Sequence, residues 1–267
     1  MKHASLFSGI GGFDLAAEWM GWNNTFHCEW NEFGQKILKY YWPEAVSYGD
    51  ITKTDFTIWR DRIDILTGGF PCQPYSVAGK RKGKEDERHL WPEMLRAICE
   101  IQPRYIVGEN VGGIVSWNRG MVFEEVQTDL ENAGYEVWPY ILPACGKDAL
   151  HERERIWFIA HSVKKLGRFS IQSQNPGTTT KREWVAAFGC ENWEQFELAS
   201  DSTASLTRWA NRPATVEFYD GVSPRLDIEA FFRGSNNGYG NAIVPQIAHE
   251  IFKAIEAYEN HPTITTI

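Results

Sequence analysis

The chain has 267 residues, 43% of them hydrophobic, and a formal net charge of −8 at pH 7. This length accommodates one large domain, or a domain with a small lobe, around a sizeable core. The sequence lacks an apolar run of membrane-spanning length, and its five cysteines lack the spacing of a zinc site or a disulfide framework. We therefore expect a cytoplasmic protein in a reducing compartment, without a signal peptide, a bound metal or a membrane association.

Short apolar runs alternate with stretches of helical periodicity as far as residue 160. The apolar runs predict strands at residues 4–7, 25–28, 63–67, 105–107, 137–142 and 156–160. The periodic stretches predict helices at residues 12–20, 32–41, 92–101 and 122–133. This alternation predicts an α/β fold with a mostly parallel, doubly wound sheet that helices cover on both faces.

The pattern changes after residue 161. Residues 162–235 are rich in Ser, Thr, Asn, Gln, Gly and Trp and show no clear periodicity. Such a segment is either an inserted, partly ordered linker or a specialised binding region. A helical stripe resumes at residues 245–258. We therefore divide the chain into a first domain (1–161), an irregular region (162–235) and a C-terminal segment (236–267) that returns to the first domain.

A glycine-rich turn follows the first predicted strand and opens the first helix. Backbone can approach a ligand closely at its glycines, Gly9, Gly11 and Gly12. The dinucleotide fingerprint G-x-G-x-x-G fails here, because Asp14 stands at its last position. Glu29, at the end of the next strand, is placed to accept hydrogen bonds from ribose hydroxyls, and Trp30 is placed to pack on an adenine. These residues indicate a nucleotide site.

Residues 68–76 read GGFPCQPYS and hold Cys72 between two prolines. Proline and glycine shape a loop here, at the end of a predicted strand, where open α/β sheets bind ligands. Cys72 is therefore a candidate nucleophile. We expect Cys28, Cys99 and Cys145 to be small buried hydrophobes instead. Residues 79–88, with five basic and three acidic side chains, are either a solvated loop or a clamp for a phosphate backbone.

Five motifs in order along the chain resemble those of the DNA cytosine-5 methyltransferases. They are residues 6–14 (LFSGIGGFD), 68–76, 109–111 (ENV), 153–156 (RERI) and 240–246 (GNAIVPQ). The resemblance implies a Rossmann-like methyltransferase fold that uses S-adenosyl-L-methionine, forms S-adenosyl-L-homocysteine and requires no metal. It also implies a prokaryotic or phage enzyme of the restriction–modification type that acts on double-stranded DNA. A cognate restriction endonuclease would act separately.

The same resemblance implies the residues of the cofactor pocket. Asp50 would face the adenine and Ile51 would pack on it. The full set is Phe7, Gly9, Gly11, Gly12, Glu29, Trp30, Asp50, Ile51, Pro71, Leu90 and Asn241.

The resemblance also assigns the chemistry. The thiolate of Cys72 would add to C6 of cytosine and make C5 nucleophilic. Glu109 would contact N3 and supply a proton there. Arg153 and Arg155 alternate on a strand-like segment, so both can point the same way, one toward O2 and the other toward Glu109 or a phosphate. A turn or cap role for Glu109, and a surface ion-pair ladder between the two arginines and neighbouring glutamates, are the structural alternatives.

A base inside a duplex is out of reach of these groups, so the enzyme would have to flip the cytosine out. By the resemblance, residues 162–235 form a short target-recognition region. Two other functions stay open: a tRNA cytosine-5 methyltransferase, and a non-catalytic relative that binds DNA or the cofactor. The presence of Cys72 and Glu109 favours an active enzyme.

Overall fold

The computed structural model describes residues 1–71, 90–115, 120–143, 154–166 and 243–260. Its strands are β1 (Lys2–Leu6), β2 (Asn23–Cys28), β3 (Val46–Tyr48), β4 (Ile65–Gly69), β5 (Tyr105–Val111), β6 (Tyr135–Pro143) and β7 (Glu154–Ser162). They form one sheet in the order β3-β2-β1-β4-β5-β7-β6. Strands β1 to β5 pair in parallel, and β7 runs antiparallel to both β5 and β6. The predicted α/β fold with a mostly parallel sheet is confirmed.

The helices begin and end where local sequence signals allow. They are α1 (Gly12–Trp19), α2 (Glu32–Tyr41), α3 (Trp91–Ile101), α4 (Met121–Asn132), α5 (Val163–Leu166) and α6 (Pro245–Glu259). Asn31 caps α2 because its side chain accepts hydrogen bonds from the backbone N–H groups of Phe33 and Gly34. A proline stands in the first turn of α3. Gly134, at φ 91°, follows α4 in the left-handed conformation that ends many helices.

Helices cover both faces of the sheet. On one face α3 and α4 bury Trp91, Met94, Ile98, Val122 and Val126 against strand residues such as Leu66 and Ile106. On the other face α1 and α6 bury Phe13, Ala17, Ile251 and Phe252 against Ile65 and Val107. The paired neighbours 65/66 and 106/107 fall on opposite faces because successive strand side chains alternate. Burial on both faces explains why these strands are almost wholly apolar.

Some details differ from the sequence predictions. Strand β3 was not predicted, because it has only three residues and its Val46 and Ser47 are exposed at the sheet edge. The expectation for Cys99 was wrong: its position on the outer side of α3 leaves it exposed, whereas Cys28 is buried as predicted. Cys145 and nearly all of the 162–235 region lie outside the described residues. Among the described helices, none is both long and apolar enough to cross a membrane.

Candidate active site

Those predicted site residues that the structure describes gather at the carboxyl ends of the parallel strands. Strand β1 lies between β2 and β4, so the chain order reverses direction at β1. In open α/β sheets such a switch point opens a crevice for ligands. The turn after β1 holds the three glycines, and the loop after β4 passes through Phe70 and Pro71 toward Cys72. The topology thus places the glycine turn next to the start of the predicted nucleophile loop.

The glycine turn has a backbone that glycine permits and most residues do not. Gly9 and Gly11 have φ values of 56° and 85°, and Phe7 adopts φ 53° although it has a side chain. A residue other than glycine in this region is strained, and such strain is common where a ligand is bound. A β-carbon added at Gly12 would lie 2.6 Å from the carbonyl oxygen of Ile243, whereas one at Gly9 would meet no atom of the described residues within 4 Å. Backbone at Gly9 is therefore open to a ligand.

A buried hydrogen-bond cluster supports this turn from below. The Ser5 hydroxyl lies 3.0 Å from each carboxyl oxygen of Asp14 and 2.7 Å from the Ser8 hydroxyl. All three side chains are buried. Burial raises the pKa of Asp14 to about 7, against the opposing effect of the Ser5 hydrogen bond. Sequence reasoning noted Asp14 only as a break in a fingerprint, because its burial depends on tertiary packing.

Glu29 connects the loop after β2 to the glycine turn. Its Oε2 accepts a 2.7 Å hydrogen bond from the backbone N–H of Gly9, and its Oε1 accepts a 2.8 Å bond from that of Asn31. A carboxylate has about four acceptor positions, so each oxygen keeps one for a further donor such as a ribose hydroxyl. Trp30 beside it is 72% exposed, which leaves its ring free to stack on a base.

Trp30 lines a cleft of about 690 Å³. Its lining residues are Trp30, Asn31, Glu32, Phe33, Gln35, Lys36, Gly49 and Asp50. The Asp50 carboxylate accepts hydrogen bonds from the N–H and hydroxyl of Thr52, which with the nearby Lys53 ammonium lower its pKa. Ile51 is only 5% exposed and packs in the core beneath the cleft. Three groups fit an adenosine cofactor: the exposed ring of Trp30, the Glu29 carboxylate with its remaining acceptor positions, and the accessible backbone at Gly9.

The second half of the site is an ion pair between Glu109 on β5 and Arg155 on β7. Glu109 is 8% exposed, and its Oε1 lies 3.0 Å from Nε of Arg155. Arg155 lies opposite Val111 in the antiparallel register, two residues from Glu109, so the two side chains share a face of the sheet. One of the two contacts predicted for the arginine pair, an arginine against Glu109, is present in the structure.

Asn110 and Gly69 bring Glu109 close to the loop after β4. The Asn110 side-chain amide donates a 3.0 Å hydrogen bond to the carbonyl oxygen of Phe70, one residue before Pro71. A β-carbon added at Gly69 would lie 3.4 Å from Glu109 Oε2 and 3.1 Å from Cδ1 of Ile243. Sequence reasoning gave Asn110 and Gly69 no individual roles, although both lie in the quoted motifs.

The described residues thus hold most of the predicted site, and part of it lies beyond them. Phe7, Pro71 and Leu90 are partly buried at the same edge, with the last two flanking residues 72–89. Cys72, Arg153 and Asn241 lie outside the described residues. In the described part of the chain, no three His, Cys, Asp or Glu side chains gather in a way that would hold a metal ion.

Comparison with known proteins decides the family. The profile of the C-5 cytosine-specific DNA methylases matches residues 1–211. The chain belongs to this family. The type II methyltransferase M.Eco47II of Escherichia coli is 37% identical over 158 residues, which are 58% of this chain and 38% of that protein. M.AquIA of Picosynechococcus is 28% identical over 255 residues, which cover 89% of this chain and 99% of that protein.

Length separates this family member from several of its relatives. The chain spans half or less of the length of the type II methyltransferases M.Eco47II, M.HhaI, M.PspPI and M.NgoBI, from 38% to 50%. Among solved structures, the S. pombe Dnmt2 methyltransferase superposes with a TM-score of 0.60 at 17% identity, over 98% of this chain and 100% of that chain. At this identity the likeness concerns the fold.

Proposed function

We propose that the chain is a DNA cytosine-5 methyltransferase that transfers the methyl group of S-adenosyl-L-methionine to C5 of a cytosine. The observation that carries the proposal is the 3.0 Å contact of Arg155 with the buried Glu109, at the same sheet edge as the glycine turn and Glu29. The cleft lined by Trp30 and Asp50, here called the nucleoside cleft, then lies at the same edge of the sheet as the pair formed by the buried Glu109 carboxyl and the half-buried Arg155 guanidinium. Methyl transfer to a base needs two ligands brought into contact in this way.

The cofactor half of the site is assigned because its side chains match the ribose and the adenine of the cofactor. Glu29 accepts the ribose hydroxyls with its remaining lone pairs, Trp30 stacks on the adenine, and the backbone of the glycine turn approaches the cofactor. Asp50, Ile51, Phe7, Pro71, Leu90 and Asn241 complete the pocket in this proposal. When bound, S-adenosyl-L-methionine supplies an electrophilic methyl group on its sulfonium sulfur.

The base half carries the covalent chemistry. Cys72 as its thiolate forms a bond to C6 of cytosine, electron density rises at C5, and Glu109 delivers a proton to N3. Arg155 holds the Glu109 carboxyl in place, and Arg153 faces the charge that develops on O2. C5 would take the methyl group with S-adenosyl-L-homocysteine as the leaving group. Loss of the C5 proton to a base then expels Cys72 as its thiolate, and N3 returns its proton to Glu109, which restores the ring.

The proposed substrate is duplex DNA, from which the target cytosine flips out at a cost of about a few kcal/mol. Residues 162–235 are proposed to contact the DNA around the flipped base. The type II methyltransferase names of the relatives support a restriction–modification setting, with a separate endonuclease in the bacterial cytoplasm.

Methylation-sensitive sequencing tests the activity. Duplex DNA incubated with the purified chain and S-adenosyl-L-methionine should carry modified cytosine in one short, repeated context. Cys72→Ala should lose turnover yet still bind the cofactor, and Cys99→Ala, which changes an exposed thiol far from the site, should retain both. Unmodified DNA of every sequence would reject the activity. Uptake of labelled methyl by tRNA and not by duplex DNA would reassign the substrate.

A further inference from the structure

The first turn of α2 contacts the loops after β1, β2 and β3, of which the last two line the nucleoside cleft. Its Gly34 faces the loop after β1, because an added β-carbon would lie 2.5 Å from the carbonyl oxygen of Gly9. The same β-carbon would lie 2.9 Å from Cγ of Glu29, in the loop after β2. Only a residue without a side chain allows α2 to approach both loops so closely.

Gln35 contributes a directed contact to the same loops. Its Nε2 donates a 2.7 Å hydrogen bond to the carbonyl oxygen of Glu29 and lies 3.4 Å from that of Trp30. A β-carbon added at Gly49, in the loop after β3, would lie 3.3 Å from this Nε2. One side-chain amide therefore sits where the backbones of two cleft-lining loops converge.

The Gln35 amide holds the backbone of Glu29 and Trp30, the two residues whose side chains are proposed to bind the cofactor. The carbonyl of Glu29 and the carboxylate of Glu29 are both held, the first by Gln35 and the second by the N–H groups of Gly9 and Asn31. With both ends held, the two carboxylate oxygens keep one orientation, against the N–H groups of Gly9 and Asn31. The Trp30 ring is 72% exposed, and the carbonyl oxygen of Trp30 lies 3.4 Å from Gln35 Nε2 in the same segment.

We propose that Gln35 is a positioning residue for the adenosine half of the cofactor, acting through its hydrogen bond to the Glu29 carbonyl. The inference rests on the proposed function, since it assumes that Glu29 and Trp30 bind adenosine. The positioning depends on the N–H donor of Gln35. A side chain of equal size that only accepts hydrogen bonds would face the Glu29 carbonyl with like partial charge and release the loop. Preorganisation of this loop lowers the ordering cost of cofactor binding.

Calorimetric titration with S-adenosyl-L-homocysteine and with methylthioadenosine, which lacks the amino-acid part, tests the inference. Gln35→Glu, of nearly equal size but without a donor at neutral pH, should raise both Kd values about tenfold. Gln35→Lys, which restores a donor, should raise them by less than about threefold. Lys39→Gln, on an exposed side chain of the same helix, should leave both unchanged. The melting temperature of each variant is measured alongside.

The outcomes separate this inference from the proposed function. Wild-type affinity in Gln35→Glu overturns the positioning role alone. Equal losses in Gln35→Glu and Gln35→Lys also overturn it, because packing rather than the donor would then account for the effect. A wild-type chain that binds neither probe overturns the proposed function itself, and with it the inference.

Discussion

At the scale of single residues, the most consequential group outside the proposed chemistry is Asp14. It lies wholly buried beneath the glycine turn, bonded to Ser5, with its pKa raised from 3.8 to about 7. Because the folded state binds this proton more tightly than the unfolded state, the contribution of Asp14 to stability falls as pH rises from about 4 to about 7. His3 acts in the opposite direction: burial lowers its pKa to about 4, so its contribution is lost as pH falls below the ordinary histidine range.

Asp14→Asn should therefore change how stability depends on pH. The amide stays neutral, so the free energy of unfolding of the variant relative to wild type should rise by roughly a few kcal/mol between about pH 4 and pH 7. The comparison isolates Asp14, because His3 titrates in both proteins. Urea unfolding at several pH values measures it, with Glu32→Gln as a control on an exposed acid. Parallel pH profiles for Asp14→Asn and wild type would show that the pKa of Asp14 is the same in the folded and unfolded states.

The site residues differ in how far the sequence could predict them. Glu29 and Glu109 were identified because each stands at the end of an apolar run, and Glu109 also begins a recognisable motif. Their contacts follow from tertiary packing. Gly9 meets Glu29 because β1 and β2 are neighbours, and Gln35 meets it through the packing of α2. Arg155 meets Glu109 through the antiparallel register of β7. Contacts of this kind depend on which strands become neighbours, which hydrophobic periodicity does not encode.

At the scale of elements, the same limit applies to strand direction and to edges. Helix α3 was predicted almost to the residue because Pro92, Pro103 and an apolar stripe delimit it. Strand β3 carries little apolar pattern because it lies at the edge with its side chains exposed. The antiparallel direction of β7 follows from the connection after β6, whose residues 144–153 have no periodicity to interpret.

Helix α6 offers a prediction at this scale, because its last residue fastens it to the sheet. Glu259 accepts a 2.7 Å hydrogen bond from the Tyr105 hydroxyl and pairs with Arg104. Glu259→Gln should lower the free energy of unfolding by about 1–2 kcal/mol, since it removes a half-buried charged partner. A double-mutant cycle with Tyr105→Phe in urea should give a coupling energy of about 1 kcal/mol. Strictly additive losses would mean that the two groups do not interact in solution.

At the scale of the whole molecule, the two halves of the sheet carry the two parts of the proposed site. The loops after β2 and β3, with the first turn of α2, line the cleft proposed for the nucleoside. Strands β5 and β7 hold Glu109 and Arg155, and β4, which pairs with β1 and β5, leads toward Cys72. Ile243, from the far end of the chain, reaches both halves by packing against Gly12 and Gly69. A segment distant in sequence is thus needed to complete the crevice, which is why the fold and not any single motif assembles the site.

Because the cleft belongs to the folded state alone, cofactor binding should stabilise the whole domain. At about 100 times its Kd, S-adenosyl-L-homocysteine should add roughly 2.7 kcal/mol and raise the melting temperature by about 5–11 °C. Glu29→Ala should lose most of this shift at the same ligand concentration, because it removes the carboxylate that is proposed to meet the ribose and that accepts the Gly9 N–H hydrogen bond. Cys72→Ala should keep the shift, since its proposed role is toward cytosine. A full shift in Glu29→Ala would remove Glu29 from the cofactor site, whereas loss of the shift in Cys72→Ala would tie the nucleophile loop to cofactor binding.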